Sequence, residues 1–225
     1  RLPDAVRLRL AFEAVGGLPP GTLERLRRRL GSPGFRRSDG ELVAAAPATE
    51  RRTIDLGAGA RQAVLDPWRG DIVTAYWSSV YDAIEAYAVY PAPLRALLRL
   101  ARGGGVRRLL GGGAARRVLG LGGLWRSILG PVGPAGTMKP TRPPAPERRA
   151  SLVWAEAEDA AGNRAGGRLR GPEASLLTAR VALWVVQRAM AGRVRVGFQT
   201  AVTAWGPDLV DRLAAEVEGI EVHWS

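Results

Sequence analysis

Between Gly171 and Gly192 the chain carries a segment that admits only a narrow set of surroundings. It reads Gly-Pro-Glu-Ala-Ser-Leu-Leu-Thr-Ala-Arg-Val-Ala-Leu-Trp-Val-Val-Gln-Arg-Ala-Met-Ala-Gly. Pro172 stands where the first position of a helix tolerates proline, Glu173 complements the positive helix pole, Arg188 lies in the last turn and Gly192 closes the run. A helix over 173–191 is predicted. Leu176, Leu177, Val181, Leu183, Trp184, Val185, Val186, Ala189 and Met190 cover most of its circumference, so it should be buried against a sheet and covered on more than one side, by that sheet or by a partner chain. Arg180, Gln187 and Arg188 interrupt it, and it is too short to span a membrane.

The segment after it repeats the pattern. Gly206 at a cap, Pro207 at the first helical position, Asp208 beside it and Trp205 placed to staple against Val210 predict a second helix that ends at Gly219. Ile220, Val222 and Trp224 then alternate with Glu221 and His223, which is strand periodicity. The loop from Gly197 to Gly206 separates the two helices.

At the other end, Val6, Leu8, Leu10 and Phe12 alternate with Arg7, Arg9 and Glu13, the signature of a half-buried strand. Gly16-Gly17-Leu18-Pro19-Pro20-Gly21 reads as a tight turn, with Thr22 as cap of a helix through Leu23, Leu26 and Leu30 to Gly31. Such a glycine-rich helix entry can receive an anion or can simply connect two elements. After a turn at Ser38-Asp39-Gly40, five strand-like runs follow: 42–46, 51–56, 61–65, 72–79 and 83–90. Gly57-Ala58-Gly59 imitates the start of a dinucleotide fingerprint, but its third glycine is missing and no useful helix fits before Asp66-Pro67, so a hairpin turn is predicted. All four tyrosines fall between 76 and 90. Tyr76, Ser78 and Ser79 can point hydroxyls into a pocket, while Tyr81, Tyr87 and Tyr90 can equally pack at the core edge.

The formal net charge is +12, carried by arginine, since Lys139 is the single lysine. From Ala86 to Pro146 ten basic residues occur with no acidic one, spaced among leucines and broken by Gly103-Gly104-Gly105 and Gly111-Gly112-Gly113. Short basic amphipathic helices are predicted within 91–130, followed by a proline-rich loop at 131–147. Such a face can meet an anionic membrane, or can pack on its own domain or a second copy. A single aromatic, Trp125, within 91–130 and no recognisable motif argue against nucleic acid. Residues 151–159 and 164–170 form a predicted β-hairpin around Ala161-Gly162-Asn163. Glu156, Glu158 and Asp159 cluster on it, beside basic neighbours, as charge-pair partners more than as acid–base groups.

Several chemistries are excluded by residue supply. The sequence has no cysteine and one histidine, His223, so it can build neither a thiolate site, nor a histidine–cysteine metal cluster, nor a serine–histidine–acid triad. No phosphate-binding loop of the Walker type, nucleophile elbow or complete dinucleotide fingerprint is present. No catalytic residue can be assigned. Together the elements predict one α+β domain over 1–225, a mixed and mainly antiparallel sheet with helices packed on one face. Arg1-Leu2-Pro3-Asp4 offers neither an initiator methionine nor a signal-peptide core, as expected of a piece of a longer chain.

The order of short motifs then resembles a known family. Gly16-Gly17 and Gly21-Thr22, the Ser38-Asp39-Gly40 turn, Asp66-Pro67-Trp68 with Asp71-Ile72-Val73-Thr74-Ala75-Tyr76, and the basic leucine-rich stretch come first. Val153-Trp154-Ala155-Glu156-Ala157, Gly171-Pro172-Glu173, Leu177-Thr178-Ala179, Gly197-Phe198-Gln199-Thr200 and Trp205-Gly206-Pro207-Asp208-Leu209-Val210 follow. This series, over nearly the whole chain, resembles the C-terminal part of saccharopine dehydrogenase-like oxidoreductases, including the trans-acting enoyl reductase type. The resemblance implies a substrate-binding and dimerisation domain whose NAD(P) is held by an N-terminal Rossmann domain, so that no cofactor binds in this chain and the chain alone is inactive. It implies a cytoplasmic homodimer, with Gly17, Thr22, Tyr76, Ser78 and Thr200 facing the interdomain pocket to orient substrate. The loop at 197–206 would face the Rossmann domain. The alternative reading is a non-catalytic module, membrane-peripheral, that docks on anionic lipid through 94–129.

Overall fold

The computed structural model describes residues 2–18, 20–29, 32–78, 81–102, 149–192 and 196–225. Nine strands form one sheet: β1 (Ala5–Val15), β2 (Gly34–Ser38), β3 (Glu41–Ala45), β4 (Arg51–Asp55), β5 (Ala60–Leu65), β6 (Ala83–Ala88), β7 (Ala150–Asp159), β8 (Arg164–Gly171) and β9 (Glu221–Trp224). The order is β3-β2-β6-β1-β7-β8-β9, and the β4–β5 hairpin joins through β5 to β6. Among these pairings β1 with β6 is parallel and the others are antiparallel. Among the described residues the helices are α1 (Pro20–Arg29), α2 (Gly70–Ser78), α3 (Ala92–Arg102), α4 (Ala174–Met190), α5 (Ala201–Trp205) and α6 (Leu209–Glu216). The mixed α+β architecture expected from the sequence is the one found.

Register assigns the faces. Leu8 and Leu10 of β1 pair with Ile84 and Ala86 of β6, and the face they share packs on Ile72 of α2. Further along it, Trp68, Tyr90 and Leu26 of α1 pack with Leu94 and Leu98 of α3. At the β8–β9 end, Leu169 and Val222 meet Trp184 of α4 and Leu209 and Leu213 of α6. The described helices therefore occupy one face. On the other, the β4–β5 hairpin folds over Ala11, Tyr87 and Leu152 with Ile54, Leu56, Ala63 and Leu65.

Where the hairpin ends, that second face is charged. Arg9 of β1, 4 % exposed, hydrogen-bonds through Nη1 to Glu156 Oε1 and Glu158 Oε2, both at 2.8 Å, and its Nε lies 3.6 Å from Glu85 Oε2. Arg7 and Arg164 close on Glu158 at 3.0 Å each. The charge pairs expected on the 151–170 hairpin are present, but they are half-buried on the sheet face and organised by a cation from β1.

Several boundaries differ from the sequence expectation. Residues 72–79 read as a strand because Ile72, Val73 and Thr74 are β-branched, yet α2 is a helix: Ile72 and Ala75 turn inward one helical turn apart while Trp77, 69 % exposed, points out. Helix α1 begins at Pro20, so Thr22 lies in its first turn and is not its cap. Helix α4 begins at Ala174, with the Glu173 side chain as N-cap accepting from the Ser175 and Leu176 amides at 3.0 and 3.2 Å. The interval 197–206 is not all loop: Thr200 and Thr203 form a reciprocal capping box that starts α5. Helix α6 starts at Leu209, after Pro207, and Trp205 packs edge-on against Trp184 at 5.3 Å.

Helix α4 is covered less than its composition suggests. Trp184 is its buried residue, with Leu177, Val181 and Val185 packed beside it, whereas Leu176, Leu183, Val186 and Met190 are exposed. β8, β9 and α6 supply one wall, not several. The segment 103–148, with most of the predicted basic helices and the whole proline-rich loop, lies outside the described residues. Its described beginning, α3, turns Leu94 and Leu98 into the core, so that apolar side is not presented to a lipid surface. Among the described residues no helix is long and apolar enough to cross a membrane.

Replacing Arg9 by Leu leaves Glu85, Glu156 and Glu158 around a missing cation. Urea unfolding at neutral pH is expected to show a loss of roughly 2 kcal/mol, below the usual figure for a buried pair because the carboxylates keep some contact with water. The hydrogen bond from Arg9 holds the Glu158 carboxyl below its ordinary value of 4.5. Its stabilisation is complete above that value and is lost as pH falls through the lowered one, so the variant should lose stability in acid less steeply than the parent protein.

Candidate functional site

On the helical face a cleft of about 880 Å³ opens between α1, α2 and the first turns of α4. Its α1 wall is Thr22, Arg25, Leu26 and Arg29; its opposite wall is Ala174, Ser175, Leu177 and Thr178 of α4. Phe12 of β1, Tyr90 after β6 and Ser151 of β7 line its sheet side, and the turn from β5 into α2 contributes Asp66, Trp68, Arg69 and Asp71. The sequence builds this concavity locally. The Pro172 carbonyl accepts from the Ser151 amide at 3.0 Å, which ties the entry of α4 to β7. The Trp68 indole donates to the Ser32 carbonyl at 3.1 Å, which ties the α2 entry to the end of α1.

Two polar groups at the base, Tyr90 and Asp66, are buried and paired with each other. The Tyr90 hydroxyl donates to Asp66 Oδ2 at 2.7 Å, and Asp66 Oδ1 accepts from the Trp68 amide at 3.3 Å. Burial, then the Asp66 carboxylate, push the Tyr90 phenol well above its usual range, so it remains a neutral donor. Arg69 is engaged twice, by Asp71 at 2.6 Å and over the Phe12 ring at 5.0 Å. Arg25 and Arg29 have no ion-pair partner among the described residues, and Ser151, wholly buried, has an Oγ without a hydrogen-bond partner. The positive poles of the two helices are already answered, by Glu173 at α4 and by Asp71 in the first turn of α2.

The residues singled out in the sequence do not converge. Thr22 lines the cleft. Thr200 lines a second, smaller cavity of about 380 Å³ with Val185, Gln199 and Trp205, and its hydroxyl serves the α5 cap. Tyr76 lies on α2 under the Arg37 guanidinium, 4.8 Å from the ring centre, and Ser78 is the last residue of that helix. Gly17, at φ 114°, follows β1, its amide donating to the Ala14 carbonyl at 3.4 Å. Arg25, Asp66, Tyr90 and Ser151 went unnoticed as a group because they come from four elements far apart in the chain. Asp66-Pro67 was the available signal, a turn whose aspartate lies in a run of inward residues.

Among the described residues no group of three histidine, aspartate or glutamate side chains could hold a metal ion. His223 sits exposed on β9, opposite Arg168 of β8. The dinucleotide-like Gly57 and Gly59 lie in the turn between β4 and β5, whose strands pair with each other and lead to no helix before Asp66. The described residues therefore define a concavity on a mixed sheet, and among them no group of metal-ligating side chains is assembled.

Comparison with known proteins places that architecture. No family model matches the sequence, and no curated protein matches it. Among solved structures the chain is similar to apo histidine-tagged saccharopine dehydrogenase (L-Glu forming) from Saccharomyces cerevisiae, with a TM-score of 0.52 at 8 % identity, over 99 % of this chain and 67 % of that one. The chain has a saccharopine dehydrogenase-like fold.

Tyr90→Phe removes the buried donor to Asp66 and is expected to cost about 1–2 kcal/mol in chemical denaturation. Because the folded state holds the phenol proton more tightly than the unfolded one, the Tyr90 contribution is complete below the ordinary tyrosine value of 10.0 and is lost as pH rises beyond it. The parent protein should therefore lose stability in strong alkali more steeply than Tyr90→Phe.

Proposed function

We propose that this chain is the substrate-side domain of an NAD(P)-dependent oxidoreductase of the saccharopine dehydrogenase-like family, and that the cleft between α1, α2 and α4 receives the substrate. The observation that carries this reading is the likeness of fold over 99 % of the chain, with a cleft of ligand size on its helical face. Within that family the order of short motifs favours the trans-acting enoyl reductase type. The glycine pair at 57 and 59 belongs to a strand hairpin and opens no helix N-terminus toward a pyrophosphate. The hydride donor would then be held by a Rossmann domain elsewhere in the full-length protein, and the work of this chain is to bind and orient. Thr22 offers a hydroxyl at the cleft wall, and those of Ser175 and Thr178, which donate to Glu173 Oε1 and to the Ala174 carbonyl, can still accept a hydrogen bond, while Phe12, Trp68 and Leu177 exclude water from the cleft. No proton transfer is assigned to any of them.

A second copy of the chain is proposed to cover the outward stripe of α4. Leu176, Leu183 and Met190 recur every seven residues, with Val186 between, all exposed, and Met190 is 84 % so. Beyond its C-terminal end, Phe198 is 85 % exposed and Val202 half so. A run of this kind exceeds the scattered apolar exposure usual on a monomer.

Calorimetry separates the parts of this reading. Residues 1–225 alone should give no binding heat with NADH or NADPH, and the full-length gene product should bind one of them; no binding by the full-length product contradicts the oxidoreductase assignment. Light scattering tests the second copy: the parent chain should have twice the monomer mass, and Leu183→Glu with Met190→Glu should restore the monomer. A parent chain that stays monomeric at high concentration removes that part.

A further inference from the structure

We infer that the cleft is built for an organic anion, a carboxylate or phosphate ester carried on an apolar body, with its charged head at α1 and its body against Phe12, Trp68 and Leu177. The inference rests on the cleft being the substrate pocket proposed above.

Charge is the first argument. Arg25 and Arg29 stand four residues apart, on one side of α1, and both line the cleft without an ion-pair partner among the described residues. The acids nearest to hand are committed: Asp71 to Arg69, Asp66 to the Tyr90 hydroxyl and the Trp68 amide, and Glu24 to Arg28 at 2.9 Å. Two planar guanidinium groups left over at the mouth of a cavity favour a carboxylate or phosphate, whose oxygens match their paired donors. The helix N-termini are not the attraction, because Glu173 already occupies the α4 amides.

The wall supplies the second argument. Phe12, Leu26, Trp68 and Leu177 make much of the lining apolar, and the Arg69 guanidinium extends the Phe12 surface by stacking on it. A free inorganic anion would leave that surface facing water, whereas an apolar body would cover it.

Ser151 is the third. It is 0 % exposed and lines the cleft, and its Oγ has no partner. A buried hydroxyl without a partner is an unusual cost, relieved when a ligand atom comes within hydrogen-bond distance.

The test is calorimetric titration of the chain with 2-naphthoate, 2-naphthyl phosphate, 2-naphthalenemethanol and inorganic phosphate. At least one of the two naphthyl anions should bind saturably, the tighter of them naming the head group, and both the alcohol and inorganic phosphate should bind about tenfold more weakly or not at all. Arg25→Glu with Arg29→Glu should weaken the naphthyl anion about tenfold and flatten its salt dependence. Thr178→Trp, which obstructs the cleft from the α4 side while leaving both arginines in place, should abolish binding, with circular dichroism checking that each variant is folded. The inference is overturned if neither naphthyl anion binds, if the alcohol or inorganic phosphate binds as well, if the charge reversal changes nothing, or if Thr178→Trp leaves binding intact. Anion binding that persists while the full-length product binds neither NADH nor NADPH would remove the oxidoreductase reading and leave this one standing; binding of either dinucleotide without anion binding would do the reverse.

Discussion

Strand β6 has no edge to spare, and the rest of the structure is arranged around that constraint. One edge pairs in parallel with β1 from Arg7↔Ala83 to Phe12↔Ala88. The other is divided, with Ile84 opposite Arg37 of β2 and with Tyr87 and Ala88 opposite Leu65 and Val64 of β5. Ile84, Ala86, Tyr87 and Ala88 are all buried, so every alternate residue is committed to one face or the other. A parallel pair of strands needs a long crossover, and the chain fills it with α1, two hairpins and α2. Those inserted elements cover both faces of the strand they precede.

The cleft is a product of the same junction. Where β5 meets β6, the Asp66 amide donates to the Ala86 carbonyl at 2.8 Å, and two residues beyond β6 Tyr90 turns back to hydrogen-bond the Asp66 side chain. The Val89 amide donates to the Phe12 carbonyl at 3.0 Å, bringing the end of β1 to the same place. Pairing that closes the sheet thus also sets the floor of the concavity. Helix α4 reaches it from the far side with its first turns, while its later turns pack on α6 and leave a stripe of leucine, valine and methionine outside. One helix is therefore shared between the wall of the cleft and an exposed apolar stripe.

Much of this was legible in the sequence where a residue obeys a local rule. The alternation of Val6 to Phe12, the Asp39-Gly40 turn with the run after it and the hairpin of residues 151–170 are local signals, and strands β1, β3 and β7–β8 lie where they predict, whereas β2 has no such signal. Periodicity failed at Ile72 to Ser78, because β-branched residues suit a strand surface and a short buried helix turn equally, and tertiary packing on Ile84 decided between them. Apolar content called for cover of α4 on more than one side, and among the described residues only the Trp184 side is covered, with Leu176, Leu183, Val186 and Met190 exposed. The cleft was less visible still: the local signal made Thr22 a helix cap and only the family resemblance placed it at a pocket, while Arg25, Asp66, Tyr90 and Ser151 acquire meaning only when β1, β6 and β7 are side by side. Dispersed carboxylates beside Arg7 and Arg9 likewise gave the pairing tendency of β7 but not the buried position of its cation.

The central claim is that β6 is the strand on which both faces and the cleft depend. Amide hydrogen exchange read by mass spectrometry tests it directly, because protection measures how much of the molecule must open before a given bond is free. Peptides covering residues 83–90 should be the slowest to exchange, at a rate set by global unfolding, with β1 next and the edge strand β9 and the five-residue α5 among the fastest. Exchange across β6 as fast as that of β9 would contradict the account.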